Sequence, residues 1–269
     1  RGSGFILEMA GNLKKLVIGT AQFGQDYVIT NTRGKVPENE VLEILSKARF
    51  HGIKTLDTAR AYGDSENVLG KAGIDDFDII TKLPSFESVL SGMEDFYDGS
   101  LKSSLSNLQI PSIDTVLLHR PEELLRANGP LIFRSLASLR DKGLVKKIGI
   151  SIYSPEILAD IISKYSIDVV QAPLNIFDRR IISSGWLKKL VDKNICFIAR
   201  SVFLQGILLA NPIDLPVYFH KWDLHFEKWI NFFQENSLSA LEASLQFVAQ
   251  VPEVDKVIVG VESESQFSE

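Results

Sequence analysis

Residues 146–172 read KKIGISIYSPEILADIISKYSIDVVQA and contain one complete repeat of strand, helix and strand. KKIGIS (146–151) and IDVVQA (167–172) are short runs, largely apolar on both alternating faces, as strands of a parallel sheet covered on both sides are. Between them, SPEILADIISKY (154–165) has helical spacing and begins with Ser154 as the predicted N-cap. The stretch therefore predicts two parallel strands joined by a helix.

The same alternation extends over the rest of the chain. Helical spacing recurs in 38–52, 130–143, 180–194 and 239–250. Six further strand-like runs are KLVIGT (15–20), IKTLDTA (53–59), FDIITK (77–82), IDTVLLH (113–119), ICFIAR (195–200) and KVIVGV (256–261). Strands and helices that alternate in this way predict an α/β fold, the closed (β/α)8 TIM barrel, as a single domain. A doubly wound open sheet is the alternative, but it requires a glycine-rich phosphate turn that VIGTAQFGQ does not provide.

The domain is predicted to span residues 13–269, with residues 1–12 as an N-terminal remnant or tail. After the last predicted strand, 262–269 is short for the helix that completes such a barrel, so we expect that closing helix to be incomplete. The longest irregular segment, 201–230, carries a cluster of aromatic residues. A loop of this length within a compact domain is usually a lid or a binding loop.

Composition excludes several classes of protein. The net charge is −5 and the basic residues are scattered, so the electrostatic pattern of a nucleic-acid-binding protein is missing. No apolar run approaches the roughly 20 residues that cross a bilayer. The single cysteine, Cys196, lies in the apolar run NICFIA and is predicted to be a buried core thiol. It cannot form an intrachain disulfide, which fits a reducing compartment, and we expect a cytoplasmic protein.

Polar residues end most of the predicted strands. In a TIM barrel the carboxyl ends of the strands gather around the active site. Tyr62 follows in the loop after the second strand. The strand-end residues, from the second strand to the seventh, are Asp57, Lys82, His119, Ser151, Gln171 and Arg200. Either they form one site or each simply caps its strand and meets water.

Four of these residues suggest a specific reaction. A tyrosine has a pKa near 10 and is a weak acid at neutral pH, but an ammonium beside it favours the phenolate. Lys82 can supply that ammonium, and Asp57 can keep it charged in a partly dry pocket. His119 can donate or relay a hydrogen bond to the oxygen that Tyr62 protonates. The set predicts protonation of a carbonyl oxygen while another group attacks its carbon.

The attacking group is not found among the side chains. No serine or cysteine is paired with a base, and His220 and His225 flank Trp222 without a third ligand, so we predict no metal site. We therefore expect a hydride from a nicotinamide cofactor.

Five motifs in order carry a resemblance to a known family. They are LDTARAYGDSE (56–66), IITK (79–82), DTVLLHRP (114–121), IGIS (148–151) and VVQAPLNIFDR (169–179). With VIGTAQFG near residue 17, they resemble the aldo-keto reductase superfamily up to the end of the chain. The resemblance implies a (β/α)8 oxidoreductase that binds NADP(H) across the barrel mouth without a Rossmann fold.

The resemblance also implies residue roles. Tyr62 would be the general acid, Lys82 and Asp57 would tune it, and His119 would orient the substrate carbonyl. Ser151 and Gln171 would hold the nicotinamide carboxamide. Further cofactor contacts would come from Gly19, Thr20, Ala21, Asn175, Ser201, Phe203, Leu204, Gly206, Ser263 and Gln266.

Three departures from the family pattern bear on the cofactor. Ile152 stands where many relatives have an asparagine. Arg200 stands where many relatives stack an aromatic ring on the nicotinamide; it can stack there and recruit an acidic substrate, or pair with a loop carboxylate or the pyrophosphate. The last segment, VGVESESQFSE, contains acids and no Lys or Arg to bind a 2′-phosphate. NADP(H) is therefore the first expectation and NAD(H) stays possible.

Three functions remain open from the sequence. The first is reduction of small aldehydes or ketones, which could be sugar-derived. The second is a cofactor-sensing or regulatory barrel with little turnover. The third is a Schiff-base lyase that uses Lys82 as its nucleophile.

Overall fold

The computed structural model describes residues 14–27, 33–86 and 92–269, so the predicted tail, 1–12, lies outside the described residues. Parallel strands pair in sequence order and the last strand pairs with the first, which closes the barrel. The strands are β1 (Leu16–Gly19), β2 (Thr55–Asp57), β3 (Asp78–Leu83), β4 (Ile113–Leu118), β5 (Val145–Ser151), β6 (Val169–Pro173), β7 (Cys196–Arg200) and β8 (Lys256–Gly260). The TIM-barrel prediction is confirmed, and the open-sheet alternative is wrong.

Helices surround this barrel. They are α1 (Ala21–Gly24), α2 (Glu38–Phe50), α3 (Ser65–Ala72), α4 (Met93–Leu108), α5 (Gly129–Asp141), α6 (Leu158–Lys164), α7 (Arg180–Ser183), α8 (Trp186–Asp192), α9 (Asp223–Glu235), α10 (Ala240–Ala249) and α11 (Glu264–Ser268). In the described ranges, no helix combines the length and the apolar character needed to cross a membrane.

Two helix predictions need correction. The predicted helix 180–194 is two helices, because Gly185 has φ 72° and interrupts it. Ser154 makes no side-chain capping hydrogen bond, because a 3-10 turn, Pro155–Ile157, precedes α6. Ser239, in contrast, forms a full capping box at the start of α10 with Glu242, in which each side chain accepts from the other residue's backbone N–H.

The segment 201–230 is not an irregular loop throughout. It contains two 3-10 turns, Pro212–Asp214 and Val217–Trp222, and the start of α9. Phe226 and Trp229 on α9 are buried against residues that follow β7. Their spacing on one helix face is a helical signal that the loop prediction for 201–230 missed.

The core has two layers. A small inner cluster fills the barrel, and a larger outer cluster lies between the strands and the helices. The inner cluster is Val17, Ile80, Leu117, Val169 and Ile198. Gly149 also belongs to the inner layer, since a Cβ there would lie 2.6 Å from Leu117 and would collide with the Val169 carbonyl oxygen. Side chains two positions further along each strand point to the same inner face, at the mouth of the barrel.

Cys196 is only partly buried and packs against the inner cluster. Burial raises the pKa of its thiol to about 12, with Asp255 adding to the effect, so the cysteine is an unreactive structural thiol.

Candidate active site

A cleft of about 1060 Å³ opens at the carboxyl ends of the strands. It is lined by most of the predicted residues, namely Gly19, Thr20, Ala21, Asp57, Tyr62, Lys82, His119, Ser151, Gln171, Arg200, Ser201, Phe203, Gly206 and Gln266. The period of a strand explains the convergence, because Lys82 and His119 stand two residues after the inner-cluster residues Ile80 and Leu117. The strand-end residues therefore form one site rather than separate caps.

Lys82 and Asp57 form a buried ion pair on the cleft floor. Lys82 Nζ lies 2.6 Å from Asp57 Oδ1 and also donates to the Thr58 carbonyl at 2.9 Å. The side chains are 1% and 4% exposed. Burial alone would lower the pKa of Lys82, but the charge of Asp57, together with Tyr62, raises it above its ordinary value. The amine is therefore held as an ammonium.

The second carboxylate oxygen of Asp57 connects this pair to two further strands. Gln171 Nε2 donates to Asp57 Oδ2 at 2.7 Å, and Ser151 Oγ donates to Gln171 Oε1 at 3.1 Å. A chain of hydrogen bonds thus runs from the ammonium of Lys82 to the hydroxyl of Ser151. Such a chain fixes the orientation of every member.

Tyr62 reaches the pair from a tight turn after β2. Gly63 has φ 55°, and a Cβ on it would collide with the carbonyl oxygen of Gly24 on α1. Ser65 fastens the same turn, since its Oγ donates to the Thr20 carbonyl at 2.8 Å. As a result, Lys82 Nζ lies 5.0 Å from the centroid of the Tyr62 ring.

His119 stands beside Tyr62, edge to face, with the two ring centroids 6.2 Å apart. Burial and the positive charge of Lys82 lower the pKa of His119 to about 4. The imidazole is therefore neutral at neutral pH, so it can donate one hydrogen bond and accept another.

In the described part of the chain Arg200 pairs with no loop carboxylate, which was one of its two predicted roles. Its Nη2 donates to the Ile152 carbonyl at 3.0 Å and its Nη1 to Ser201 Oγ at 3.2 Å. The guanidinium carbon lies 4.4 Å from the centroid of the Tyr153 ring. Nε is buried without a hydrogen-bond partner.

The cleft floor between β1 and β8 is made of bare backbone. A Cβ on Gly19 would lie 2.9 Å from a methyl group of Ile258, and one on Gly260 would lie 3.1 Å from the Gln22 amide nitrogen. Across the cleft, Ser201, Leu204 and Gln205 have φ between 49° and 56°, a region that non-glycine residues rarely adopt. Backbone in this conformation is concentrated at ligand-binding loops. Together with the bare floor that it faces, it fits an extended dinucleotide.

Three of the predicted cofactor residues do not line the cleft. Asn175 is fully buried, donates to the Ser201 carbonyl at 3.0 Å and accepts from the N–H groups of Phe177 and Asp178. Leu204 packs with the apolar residues that follow β7. Ser263 accepts from Gln266 N as the N-cap of α11. All three hold loops around the cleft, because each bonds or packs within the protein.

The segment after β8, residues 261–269, contains no Lys or Arg, but basic side chains from other parts of the chain contact it. Arg33 donates to the Glu262 carbonyl at 3.3 Å and pairs with Glu40. Lys47 on α2 pairs with Glu264 and donates to Ser268 Oγ at 2.6 Å. Basic side chains therefore lie beside the segment that follows β8, although acids pair with both.

Sequence reasoning missed several residues of the cleft. Tyr153 follows Ser151 by two positions, so the strand period could have found it. Gln22 and Tyr27 follow β1, and no local pattern points to them. Tyr27 comes within 6.3 Å of the Tyr62 ring only through the fold.

The comparisons with known proteins agree with this geometry. The family model described as the Aldo/keto reductase family matches residues 15–269. The chain belongs to the aldo/keto reductase family. It is therefore an oxidoreductase that acts on carbonyl groups with a nicotinamide cofactor, NAD(P)H, and the predicted resemblance is confirmed.

Individual aldo/keto reductase relatives are distant. An uncharacterised oxidoreductase of Bacillus subtilis, YqkF, is 28% identical over 252 residues, which are 86% of this chain and 81% of that protein. D-arabinose 1-dehydrogenase of Saccharomyces cerevisiae is 30% identical over 53% of this chain and 44% of its own. The structure of a glycerol dehydrogenase of Gluconobacter oxydans superposes with a TM-score of 0.73 at 21% identity, covering 94% of this chain and 84% of that one. The last likeness shows the fold alone.

Proposed function

We propose that this protein reduces small aldehydes and ketones with NAD(P)H, using Tyr62 as the general acid. The observation that carries the proposal is the buried ion pair of Lys82 and Asp57 directly beside the Tyr62 ring. A fixed ammonium next to a phenol favours the phenolate that forms when the proton leaves. In this proposal Lys82 and Asp57 support Tyr62 in its role as the acid.

The remaining groups prepare the carbonyl. His119 is neutral and beside Tyr62, so it can donate a hydrogen bond to the substrate oxygen without adding a charge. Tyr62 then gives its proton to that oxygen as the carbon accepts the hydride. Since Lys82 and Asp57 are almost fully buried, water does not screen their charges, and the effect on the phenol is stronger than it would be in solution.

The cofactor fits the bare floor and the opposite loop. The nicotinamide dinucleotide supplies the hydride when it is bound. Ser151 and Gln171, next to the ion pair, would hold its carboxamide, and Gly19, Thr20 and Ala21 would lie against it. The loop of Ser201, Phe203 and Gly206 would cover its pyrophosphate, with Gln266 near the adenosine. We propose that both NADPH and NADH are accepted, because Arg33 and Lys47 supply positive charge near that end while Glu40 and Glu264 offset it.

The substrates are proposed to be small polar carbonyl compounds, with sugar-derived ones included. The yeast relative's name, D-arabinose 1-dehydrogenase, supports the sugar-derived class. Tyr27, Tyr62 and Tyr153 line the cleft, and their rings carry hydroxyl groups. Such rings can contact both the apolar faces and the hydroxyls of a polyol.

The geometry does not favour the Schiff-base lyase. A lysine attacks a carbonyl only as the neutral amine. Lys82 is ion-paired at 2.6 Å and its pKa is raised, so it is kept charged. No contact in the described residues specifically favours the sensing role.

The test is a spectrophotometric assay of NADPH and NADH oxidation with a panel of aldehydes. Tyr62→Phe removes the proton donor and keeps the ring, so kcat should fall by roughly 100-fold or more, in line with the usual contribution of a general acid. The dissociation constant of the cofactor, measured by fluorescence, should change little. If Tyr62→Phe retains more than half of the wild-type kcat where chemistry is rate-limiting, Tyr62 is not the acid.

A further inference from the structure

Arg200 is a cation in the cleft that pairs with no carboxylate among the residues the structure describes. Lys82 and Arg200 are the Lys and Arg side chains that line the cleft among the residues described. Lys82 is neutralised by Asp57 at 2.6 Å. The hydrogen-bond partners of Arg200 are neutral oxygens, the Ile152 carbonyl and Ser201 Oγ. Within the described ranges no carboxylate forms an ion pair with Arg200, so the end of the cleft near Lys82 and His119 keeps an unpaired positive charge.

Two carboxylates of this region, Asp57 and Asp178, already bind other groups. Asp57 uses one oxygen for Lys82 and the other for Gln171. Asp178, whose pKa Arg200 also helps to lower, gives both oxygens to Arg180 at 2.9 and 2.7 Å. A partly buried charge that stays unpaired costs free energy, and an anionic ligand that reaches it recovers that cost.

The charge of Arg200 lies at the reacting end of the cleft. Its side chain ends β7 on the inner face, at the same mouth as Lys82 and His119. The guanidinium rests on the Tyr153 ring, 4.4 Å from its centroid. Burial and the charge of Lys82 are the larger causes of the low pKa of His119, and the charge of Arg200 lowers it further. Burial raises the pKa of Tyr27, and the charge of Arg200 opposes that rise. His119 and Tyr27 both lie beside Tyr62, where the carbonyl is to be reduced.

The guanidinium has donors left for a ligand. An arginine carries five N–H groups in a planar fork that matches carboxylate and phosphate oxygens. Hydrogen bonds to Ile152 and Ser201 use one group each on the two terminal nitrogens. They also hold the fork in place, so a ligand does not have to order it on binding.

We propose that Arg200 selects carbonyl substrates that carry an anionic group, a carboxylate or a phosphate, a few bonds from the carbonyl. This inference rests on the proposed reductase function and names the substrate class of that site. The anionic group binds Arg200 while the carbonyl oxygen lies between Tyr62 and His119. Neutral aldehydes of the same size are reduced, but less efficiently.

The test compares matched pairs of substrates. 4-Oxobutanoate against its methyl ester gives the carboxylate pair, and glyceraldehyde 3-phosphate against glyceraldehyde gives the phosphate pair. A hydrogen bond to a charged group contributes about 1.5–3 kcal/mol, so we expect kcat/KM to favour the anionic member by roughly 10- to 100-fold. The ratio within a pair cancels any change in cofactor binding that both members share.

Three variants separate charge from structure. Arg200→Met keeps an apolar stem over Tyr153 and removes the charge, so the ratio should fall to near one in the preferred pair. Arg200→Lys keeps the charge and should retain a clear part of the preference. Arg134→Met removes an exposed charge on α5, outside the cleft, and should leave the ratio unchanged.

The outcomes are distinct from a failure of the proposed function. If Arg200→Met leaves the kcat/KM ratio of the anionic to the neutral substrate unchanged, the inference is overturned. If the same variant also binds the cofactor tenfold more weakly, the charge of Arg200 serves the dinucleotide instead. If the wild type reduces neither member, the proposed function fails. In that case equilibrium binding of succinate still decides the inference, which requires at least tenfold weaker binding in Arg200→Met than in the wild type.

Discussion

Replacing Asp57 by asparagine should destabilise the protein strongly, because it leaves the ammonium of Lys82 buried without a counter-charge. Lys82 and Asp57 are 1% and 4% exposed, so water cannot replace the lost carboxylate. Asparagine has nearly the same shape and still offers an oxygen to Lys82. The variant therefore tests charge and not packing.

The size of the effect follows from the distance between the two groups. Two unit charges 2.6 Å apart attract by about 6 kcal/mol at an effective dielectric constant of about 20. The retained hydrogen bond offsets part of this loss, and removing one partner of a buried pair typically costs about 3–5 kcal/mol. We expect the free energy of unfolding to fall by about 3 kcal/mol, near the lower end of that range. This corresponds to a decrease of roughly 6–12 °C in Tm for a domain of this size.

The pH dependence gives the prediction a sign. In the wild type Asp57 raises the pKa of Lys82 above its ordinary value of 10.5, so this stabilisation is constant below pH 10.5 and is lost only as pH rises further. Without Asp57, burial dominates and lowers the pKa of Lys82 below that value. The unfolded variant then binds more protons than the folded one, so its stability increases with pH. The difference in stability between the wild type and Asp57→Asn should therefore become smaller between pH 7 and 9.5.

Thermal melts of the wild type and Asp57→Asn at several pH values between 6 and 9.5 measure both quantities. Asp57→Asn/Lys82→Met removes both charges and should recover much of the loss, since two neutral groups leave no unpaired charge. Asp76→Asn breaks the exposed pair with Arg49, in which the side chains are 45% and 35% exposed, and should cost less than about 1 kcal/mol. A Tm for Asp57→Asn within 2 °C of the wild type at pH 7, or a deficit that does not change with pH, would refute the reasoning.

Three further predictions concern the turn, the histidine and the cofactor. Gly63→Ala should lower kcat and Tm, because it displaces the turn that carries Tyr62. Gly143 has φ 71° and no atom near its Cβ position, so Gly143→Ala should lower Tm slightly and leave kcat unchanged. Equal kcat values in the two variants contradict this prediction. The pKa of His119 is lowered from 6.5 to about 4, so the folded state loses stability as pH falls through this window, and His119→Gln should lose less Tm than the wild type between pH 6.5 and 4. Dissociation constants for NADPH and NADH, from fluorescence titrations, should agree within about tenfold, and a hundredfold preference either way would show that the paired charges at the adenosine end do not balance.

The barrel and its polar mouth could be predicted because they depend on short-range patterns. Each strand appears as a β-branched run, and the inner face continues every second residue. Once Leu117 is assigned to the inner face, His119 must lie at the mouth, and the same holds for Ile80 and Lys82. A parallel barrel then brings strand ends from distant parts of the sequence to one place.

The boundaries of the irregular segments were harder to predict. The segment after β7 was predicted to be a loop, yet it forms 3-10 turns and α9, because Phe226 and Trp229 are buried against that same segment. Tertiary packing of this kind outweighs the Pro and Gly signals that suggest a loop. Asn175 and Ser263 were assigned to the cofactor by motif alone, whereas their hydrogen bonds are made within the protein.

By itself the sequence determined the fold class and the carboxyl-terminal face at which the strand-end residues Asp57, Lys82 and His119 meet, since strand periodicity and order along the chain specify both. Tyr62 lies in the loop after β2, and contacts of Gly63 and Ser65 with distant backbone bring it there. Only the tertiary structure decided which charges are neutralised. Gln171 binds Asp57 across 114 positions, and Lys47 meets Ser268 across 221. Arg200, with many acids elsewhere in the chain, meets none of them in an ion pair among the described residues. Charge pairing depends on distances of a few ångströms between segments far apart in sequence, and no local pattern encodes such distances.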